Sequence, residues 1–305
     1  MKAKRSVSIT SFTLILLLPL VSVSTRAQNL YVSNNGNGTI EKFGTNGVGT
    51  VFASSGVYNP VGVAFDSSGN LYVANNGYSN IKKFNANGVG TVFASLSSGV
   101  YFPLELAFDT SGSLYVSSIG SNTVVKFSTN GIGTVFANAS SGLIGPGGMA
   151  FDRSGNLYVA NANGNNIVKV NTNGVGTVFA TYNSGLLGPM GLAFDSSGNL
   201  YVANNAANNI EKFDTNGVAT VFASSGLDSP YGIAFDGNDN LYVANYNSNK
   251  IEKFDTTGVG TVFANSGLSH PMSIAIQVPE PSTWTMVAMG IGAALAGPRP
   301  RRRSS

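Results

Sequence analysis

The chain of 305 residues contains no cysteine and a single histidine. The first absence excludes disulfides, thiolate metal sites and cysteine nucleophiles. The second excludes a metal centre built mainly on imidazole, since such a site needs three or four suitable ligands. Charge is scarce as well. Asp, Glu, Lys and Arg make up 10% of the chain, against about 25% in an ordinary soluble protein. Asn, Ser, Thr and Gly stand in their place, so the surface is polar but weakly charged. No Gly-rich phosphate loop, Ser-His-Asp set or basic aromatic stripe is present, and no cofactor is expected.

Long apolar runs are also missing. The greasy stretches at the two ends, 12–23 and 284–296, are shorter than the roughly 20 residues of a free-standing membrane span. The first follows "KAKR" and precedes "TRA" and Gln28. A basic start, a short greasy run and a small-residue site predict a secretory signal over residues 1–27, cut between Ala27 and Gln28. The second follows Pro279-Glu280-Pro281 and precedes Arg299, Arg301, Arg302 and Arg303. Residues 279–305 resemble the PEP-CTERM sorting segment of bacterial surface proteins, through "VPEPSTW", the apolar run and the terminal arginines. That resemblance implies transient insertion in the inner membrane and cleavage near Pro279, Glu280 and Pro281 by an exosortase-type enzyme. It also implies delivery to the cell surface, outer envelope or extracellular matrix.

The basic balance of the whole chain, +3, belongs to these ends. Residues 28–278 hold nine basic side chains against thirteen acidic ones, a net of −4. A nucleic-acid partner, which a basic domain would suggest, is therefore not expected.

Between the ends one sentence is written six times. "LYV" starts at 30, 71, 114, 157, 200 and 241, and a period near 40 indicates a solenoid, propeller or array. Each unit holds four short runs rich in Val, Phe, Tyr and Ile, such as "GVAFD", "NLYVAN", "NIKKF" and "GTVFA". Turn clusters separate them, with Asn-Gly pairs at 46, 87, 130, 173 and 216. Four strands per unit make a propeller blade. Leu71 and Val73 point one way and Tyr72 and Ala74 the other, as suits a blade packed on both sides. The first unit lacks its lead-in strand, and "MSIAIQ" (272–277) follows the last. The expected fold is thus an all-β six-bladed propeller over residues 28–278, closed by pairing strand 272–277 with the N-terminal strands.

The pattern Pro60 to Phe84, "PVGVAFDSSGNLYVAN" and then "NIKKF", resembles the NHL-repeat family. Where that family commonly has Asp after the second strand, this chain has Asn34, Asn75, Ser118, Asn161, Asn204 and Asn245. This departure from the family leaves the ring neutral, and no metal is expected.

Function must be argued from the loops. The turns between strands one and two and between strands three and four share one nearly invariant face. The strand 2–3 turns and inter-blade connections share the other, where the copies differ. Candidate ligand contacts on that variable face are Tyr58, Tyr101, Phe102, Tyr182, Tyr231, Asp228, Glu105 and His270, with Tyr78 and Tyr246 nearby. Glu105 is set apart, because four sister positions are Gly and the last is Ser273. It is expected to look into the central channel. Tyrosines have flat amphipathic rings suited to sugars. Glu41-Lys42, Glu211-Lys212 and Glu252-Lys253 are expected as solvated strand-edge charges. The reading favoured is a monomeric, non-catalytic binding or structural propeller that engages an extracellular polysaccharide or a surface protein. The alternative, a propeller lyase or lactonase, requires Glu105, Asp228 and His270 to converge.

Overall fold

The computed structural model describes residues 28–277. The leader and sorting segments read above, with their cleavage positions at Ala27 and Pro279–Pro281, lie outside the described residues. Twenty-four strands form six four-stranded antiparallel sheets around an axis. In blades 2 to 6 the first, innermost strands are Pro60–Phe65, Pro103–Phe108, Pro146–Phe151, Pro189–Phe194 and Pro230–Phe235. Blade 1 takes its innermost strand, Pro271–Gln277, from the far end of the chain. It pairs with Asn29–Asn34 so that Val32 opposes Ile274 and Tyr31 opposes Ala275. The ring is closed, and two strand edges that would otherwise be open to pairing are covered.

Turn chemistry sets the hairpins. In "DSSGN", Asp66 Oδ1 accepts from the N–H groups of Ser68 at 3.0 Å and Asn70 at 2.8 Å. Asn70 Nδ2 returns a hydrogen bond to Asp66 Oδ2. In "GTNGV", the Gly44 N–H donates to Val48 O and the Gly47 N–H donates to Gly44 O. Only glycine of the Asn-Gly pair takes positive φ, 73° at Gly47. The Asn-Gly signal thus marks a longer turn with a left-handed glycine, rather than the two-residue loop in which both residues are left-handed.

The core is six copies of one interface. In blades 1 to 5 the strand-two tyrosine sits between two phenylalanines, one from its own blade's fourth strand and one from the next blade's first strand; in blade 6 Tyr242 meets Phe263, and Ile276 stands in place of the second ring. Tyr72 meets Phe93 and Phe108, both at 5.1 Å with nearly perpendicular rings. Edge-to-face pairs contribute about 0.5–1.5 kcal/mol each beyond area burial. Tyr72 and Ala74 pack toward Leu114 and Val116 of blade 3. Leu71 and Val73 pack toward Tyr31 of blade 1. The strand's two apolar faces thus serve two neighbours.

Candidate functional site

Every innermost strand bulges at one place. In blade 2 Pro60 opposes Asn75 and Val63 opposes Val73, so Val61 and Gly62 face the single residue Ala74. The same shift occurs in the other five blades. It turns the third residue of each strand toward the axis, at Gly62, Glu105, Gly148, Gly191, Gly232 and Ser273. The glycines are needed because neighbouring strands nearly touch. A Cβ on Gly148 would lie 2.1 Å from Met190 O, and one on Gly191 would lie 2.4 Å from Tyr231 O.

The two blades without glycine are also the two with Ser instead of Ala in "LYVA". The Ser117 Oγ accepts from the Glu105 N–H at 2.9 Å, and the Ser33 Oγ accepts from the Ser273 N–H at 3.0 Å. Ser33 also donates to Val61 O of blade 2. These hydroxyls satisfy bulged N–H groups that the ladder leaves over. The result is one carboxyl and one hydroxyl facing each other, with Ser273 Oγ 3.4 Å from both Glu105 oxygens. They border an axial cavity of about 150 Å³ whose lining includes Met149, Leu192, Ile233 and Ile274. The Glu105 carboxyl touches that cavity but is enclosed by strand ends. Burial pushes it up to about 7, against partial relief from the Leu106 N–H and Ser273. Tyr231 is pushed up to about 12 by burial, then by Glu105 and Tyr246.

Above the channel, rings are seated on glycine. A Cβ on Gly77 would lie 2.3 Å from Tyr58 Cδ1, and one on Gly120 would lie 2.3 Å from Tyr101 Cδ1. One on Gly36 would lie 2.5 Å from His270 Nδ1. These shelves occur in the strand 2–3 turns of blades 1, 2 and 3. In blades 4 and 5 the connection places Gly145 against Asn163 and Gly188 against Ala206, and in blade 6 Asn247 bonds Asp228 and Ser229. Further ring contacts are Tyr58 with Tyr78 at 5.2 Å and Tyr101 with Phe102 at 4.9 Å. Tyr246 meets His270 at 4.7 Å and Tyr231 at 6.3 Å. An aromatic arc thus runs from blade 6 through blade 1 to blade 3. Tyr182 is exposed in the connection between blades 4 and 5, away from these pairs.

The arc is held in a costly backbone shape. The residue before each innermost proline has positive φ, 49° at Phe102 and 48° at His270. Left-handed backbone costs a non-glycine residue about 1–2 kcal/mol. Side chains hold it in place. The His270 N–H donates to Asn249 Oδ1 at 2.6 Å, and the Phe102 N–H donates to Ser79 Oγ at 3.4 Å. Deeper in, the asparagines that stand where the NHL family commonly has Asp clamp the connections. Asn204 Oδ1 accepts from the Leu187 N–H at 2.6 Å, while its Nδ2 donates to Gly185 O at 2.8 Å. Asn75, Asn161 and Asn245 repeat this. A carboxylate could accept but not donate. Ser118 is too short to copy the amide, and its buried Oγ has no partner.

Of the predicted residues, the structure joins Glu105 to Ser273 and Tyr231, and Tyr246 to His270 and Tyr231. Glu105, Asp228 and His270 do not form one cluster: Asp228 bonds Asn247 and His270 stacks on Tyr246. Among the described residues no three His, Asp or Glu side chains are placed to hold a metal ion. Ser117 and Ser273 were missed as partners of Glu105, and Ser33 as the partner of Ser273, although "LYVS" against "LYVA" was visible. One expectation is corrected. Glu41, Glu211 and Glu252 are not solvated edge charges but are 5%, 4% and 6% exposed. They lie beneath the left-handed glycines Gly267, Gly185 and Gly226 that open the connections. Burial raises all three carboxyls above their usual range. The adjacent Lys42, Lys212 and Lys253 face away, over the rings of Tyr31, Tyr201 and Tyr242.

The closed ring of bulged blades is the architecture of NHL-type propellers, and the chain belongs to that family: the teneurin NHL domain matches residues 36–229. The PEP-CTERM protein-sorting motif matches residues 277–303, which marks an exported protein sorted to the surface through the membrane. No curated protein sequence matches the chain. Among solved structures, a chain of the nidogen/laminin complex is similar over 83% of this chain and 100% of its own, at 20% identity and a TM-score of 0.72. Virginiamycin B lyase from Staphylococcus aureus is similar over 81% of this chain and 78% of its own, at 20% identity and a TM-score of 0.59. A streptogramin B lyase gives 83% and 78% at 18% identity, with a TM-score of 0.60. At such identities the likeness is one of fold.

Proposed function

We propose that the protein is a cell-surface or matrix-associated binding propeller that holds an extended glycan against the aromatic half of its variable face. The observation that carries this reading is the matched set of rings and glycine shelves on three consecutive blades, kept although Phe102 and His270 strain the backbone. A ring braced from behind by backbone presents its free side to solvent, and pyranose faces pack on such surfaces. Glu105 lies at the inner edge as the one carboxyl of the axial cavity. Tyr58, Tyr101, Phe102, Tyr231 and His270 are the proposed contacts, with Tyr182 and Asp228 at the periphery. Adhesion to a surface protein through the same arc is the variant of this reading for a protein ligand.

The test is binding of the full chain to a glycan array and to matrix polysaccharide. Tyr58→Ala with Tyr101→Ala removes two stacking rings, and a loss of about tenfold is expected from their ~0.5–1.5 kcal/mol each. Leu187→Ala, outside the arc, should change nothing. No binding above background, or equal losses in both variants, overturns the glycan reading. The lyase or lactonase alternative lacks the convergence of Glu105, Asp228 and His270 that it requires, and keeps only the enclosed Glu105 carboxyl, which burial pushes up to about 7. It would require turnover that Glu105→Gln abolishes while leaving glycan retention intact.

A further inference from the structure

The innermost strand of blade 1 starts at Pro271 among the connections of the variable face and ends at Gln277, opposite Asn29. Gln277 therefore leaves the disc on the invariant face, close to the axis. The other end of the described chain leaves there too. The Gln28 Oε1 accepts from the Gly237 N–H at 3.3 Å, in the strand 1–2 turn of blade 6. Both export segments thus attach to one face, and it is the face opposite the aromatic arc.

The tether to the sorting segment is short. Six residues, 278–283, separate Gln277 from the start of the apolar run at Trp284, and the chain from one to the other spans at most about 25 Å. Turning the disc over would force this tether around the rim. Four strands at ~4.8 Å spacing put the rim roughly 15–20 Å from the innermost strand. The height of a strand adds roughly another 17–20 Å. The path is longer than the tether. Part of the charge on the invariant face is paired within it: Asp66, Asp109, Asp152 and Asp236 meet Lys83, Lys126, Lys169 and Lys253 at 3.2 to 3.8 Å.

We infer that, while the sorting segment holds the membrane, the propeller is docked with its invariant face on the lipid surface and its variable face pointing outward. This rests on the reading that residues 284–296 enter a membrane. Because the chain has no cysteine, single reporters can be placed at will. Ser67→Cys sits on the invariant face and Asn183→Cys on the variable face, both at exposed positions. The full chain is reconstituted in phosphatidylethanolamine–phosphatidylglycerol vesicles and treated with a bulky polyethylene-glycol maleimide. S67C should react about tenfold more slowly than N183C, as the tether length requires. Inserting about 20 Gly/Ser residues after Gln277 gives a flexible linker and should bring the two rates together. Equal rates without the insertion, or faster reaction of S67C, overturn the orientation while leaving membrane attachment standing. A chain that does not float with the vesicles overturns the attachment itself, and the orientation with it.

Discussion

Blades 1 to 3 and blades 4 and 5 share the same strand sentence and meet solvent with different chemistry. On one side, rings lie on Gly36, Gly77 and Gly120, and the axial positions include Glu105 and Ser273. On the other, Gly145 and Gly188 occupy the strained positions and glycine alone fills the axial ones. The repeat maintains the scaffold, and the departures from it are paired: each non-glycine axial residue comes with a second-strand serine. In both blades the second-strand hydroxyl takes the N–H of the non-glycine axial residue.

The contrast can be broken most forcefully at the axis. Gly191→Val should destabilise the propeller by about 3 kcal/mol or more, because the strand behind it has no room to move. Ser273→Gly should cost roughly 1 kcal/mol, the scale of one lost hydrogen bond. Denaturant midpoints of the two variants measure the difference, and near-equal losses would mean that the glycines are open space.

Next comes the clamp under the connections. Asn204→Asp loses a donor and places a carboxylate against Gly185 O, for an expected cost of about 2–3 kcal/mol. Burial would raise the new carboxyl, so the loss should grow as pH rises. Ser118→Asn should gain up to about 1 kcal/mol by supplying the amide that blade 3 lacks.

Glu105 gives a subtler, pH-dependent effect. Its folded value, about 7, lies above the ordinary 4.5. The folded protein therefore holds a proton that the unfolded chain releases, and stability falls as pH rises from about 4.5 through 7. Glu105→Gln should remove up to about 2 kcal/mol of that fall once contact with the cavity is allowed for. The curves for parent and variant should converge below pH 4.5, and parallel curves throughout would contradict the enclosed carboxyl.

The smallest change has the opposite sign. Phe102→Gly relieves the left-handed strain and should stabilise by about 0.5–1 kcal/mol, while weakening glycan retention. A thermal melt and a binding curve on the same sample separate the two effects.

Much of the fold was legible because the physics repeats. The period, the turn clusters and the displaced "MSIAIQ" strand each carried local evidence for one closed ring. The site was legible only as a list. Residues before proline favour extended backbone, so the left-handed turn at Phe102 and His270, which seats their rings, left no trace in the letters. Glu41, Glu211 and Glu252 look like surface charges in alternation along a strand. Their burial depends on a connection from the preceding blade that folds over them. The serines at 33 and 117 were readable as exceptions, but their purpose required the bulge that places two residues opposite one.

Pairing Asn29–Asn34 with Pro271–Gln277 also fixes an order of assembly. The sheet whose chain is synthesised first is the last to be completed. For some 240 residues of synthesis its inner edge has no partner, and it stays exposed to wrong pairing until the final strand arrives. A chain truncated before Pro271 would keep five complete blades and an unsealed sixth. Cellular quality control could therefore recognise an unfinished copy by that raw edge alone.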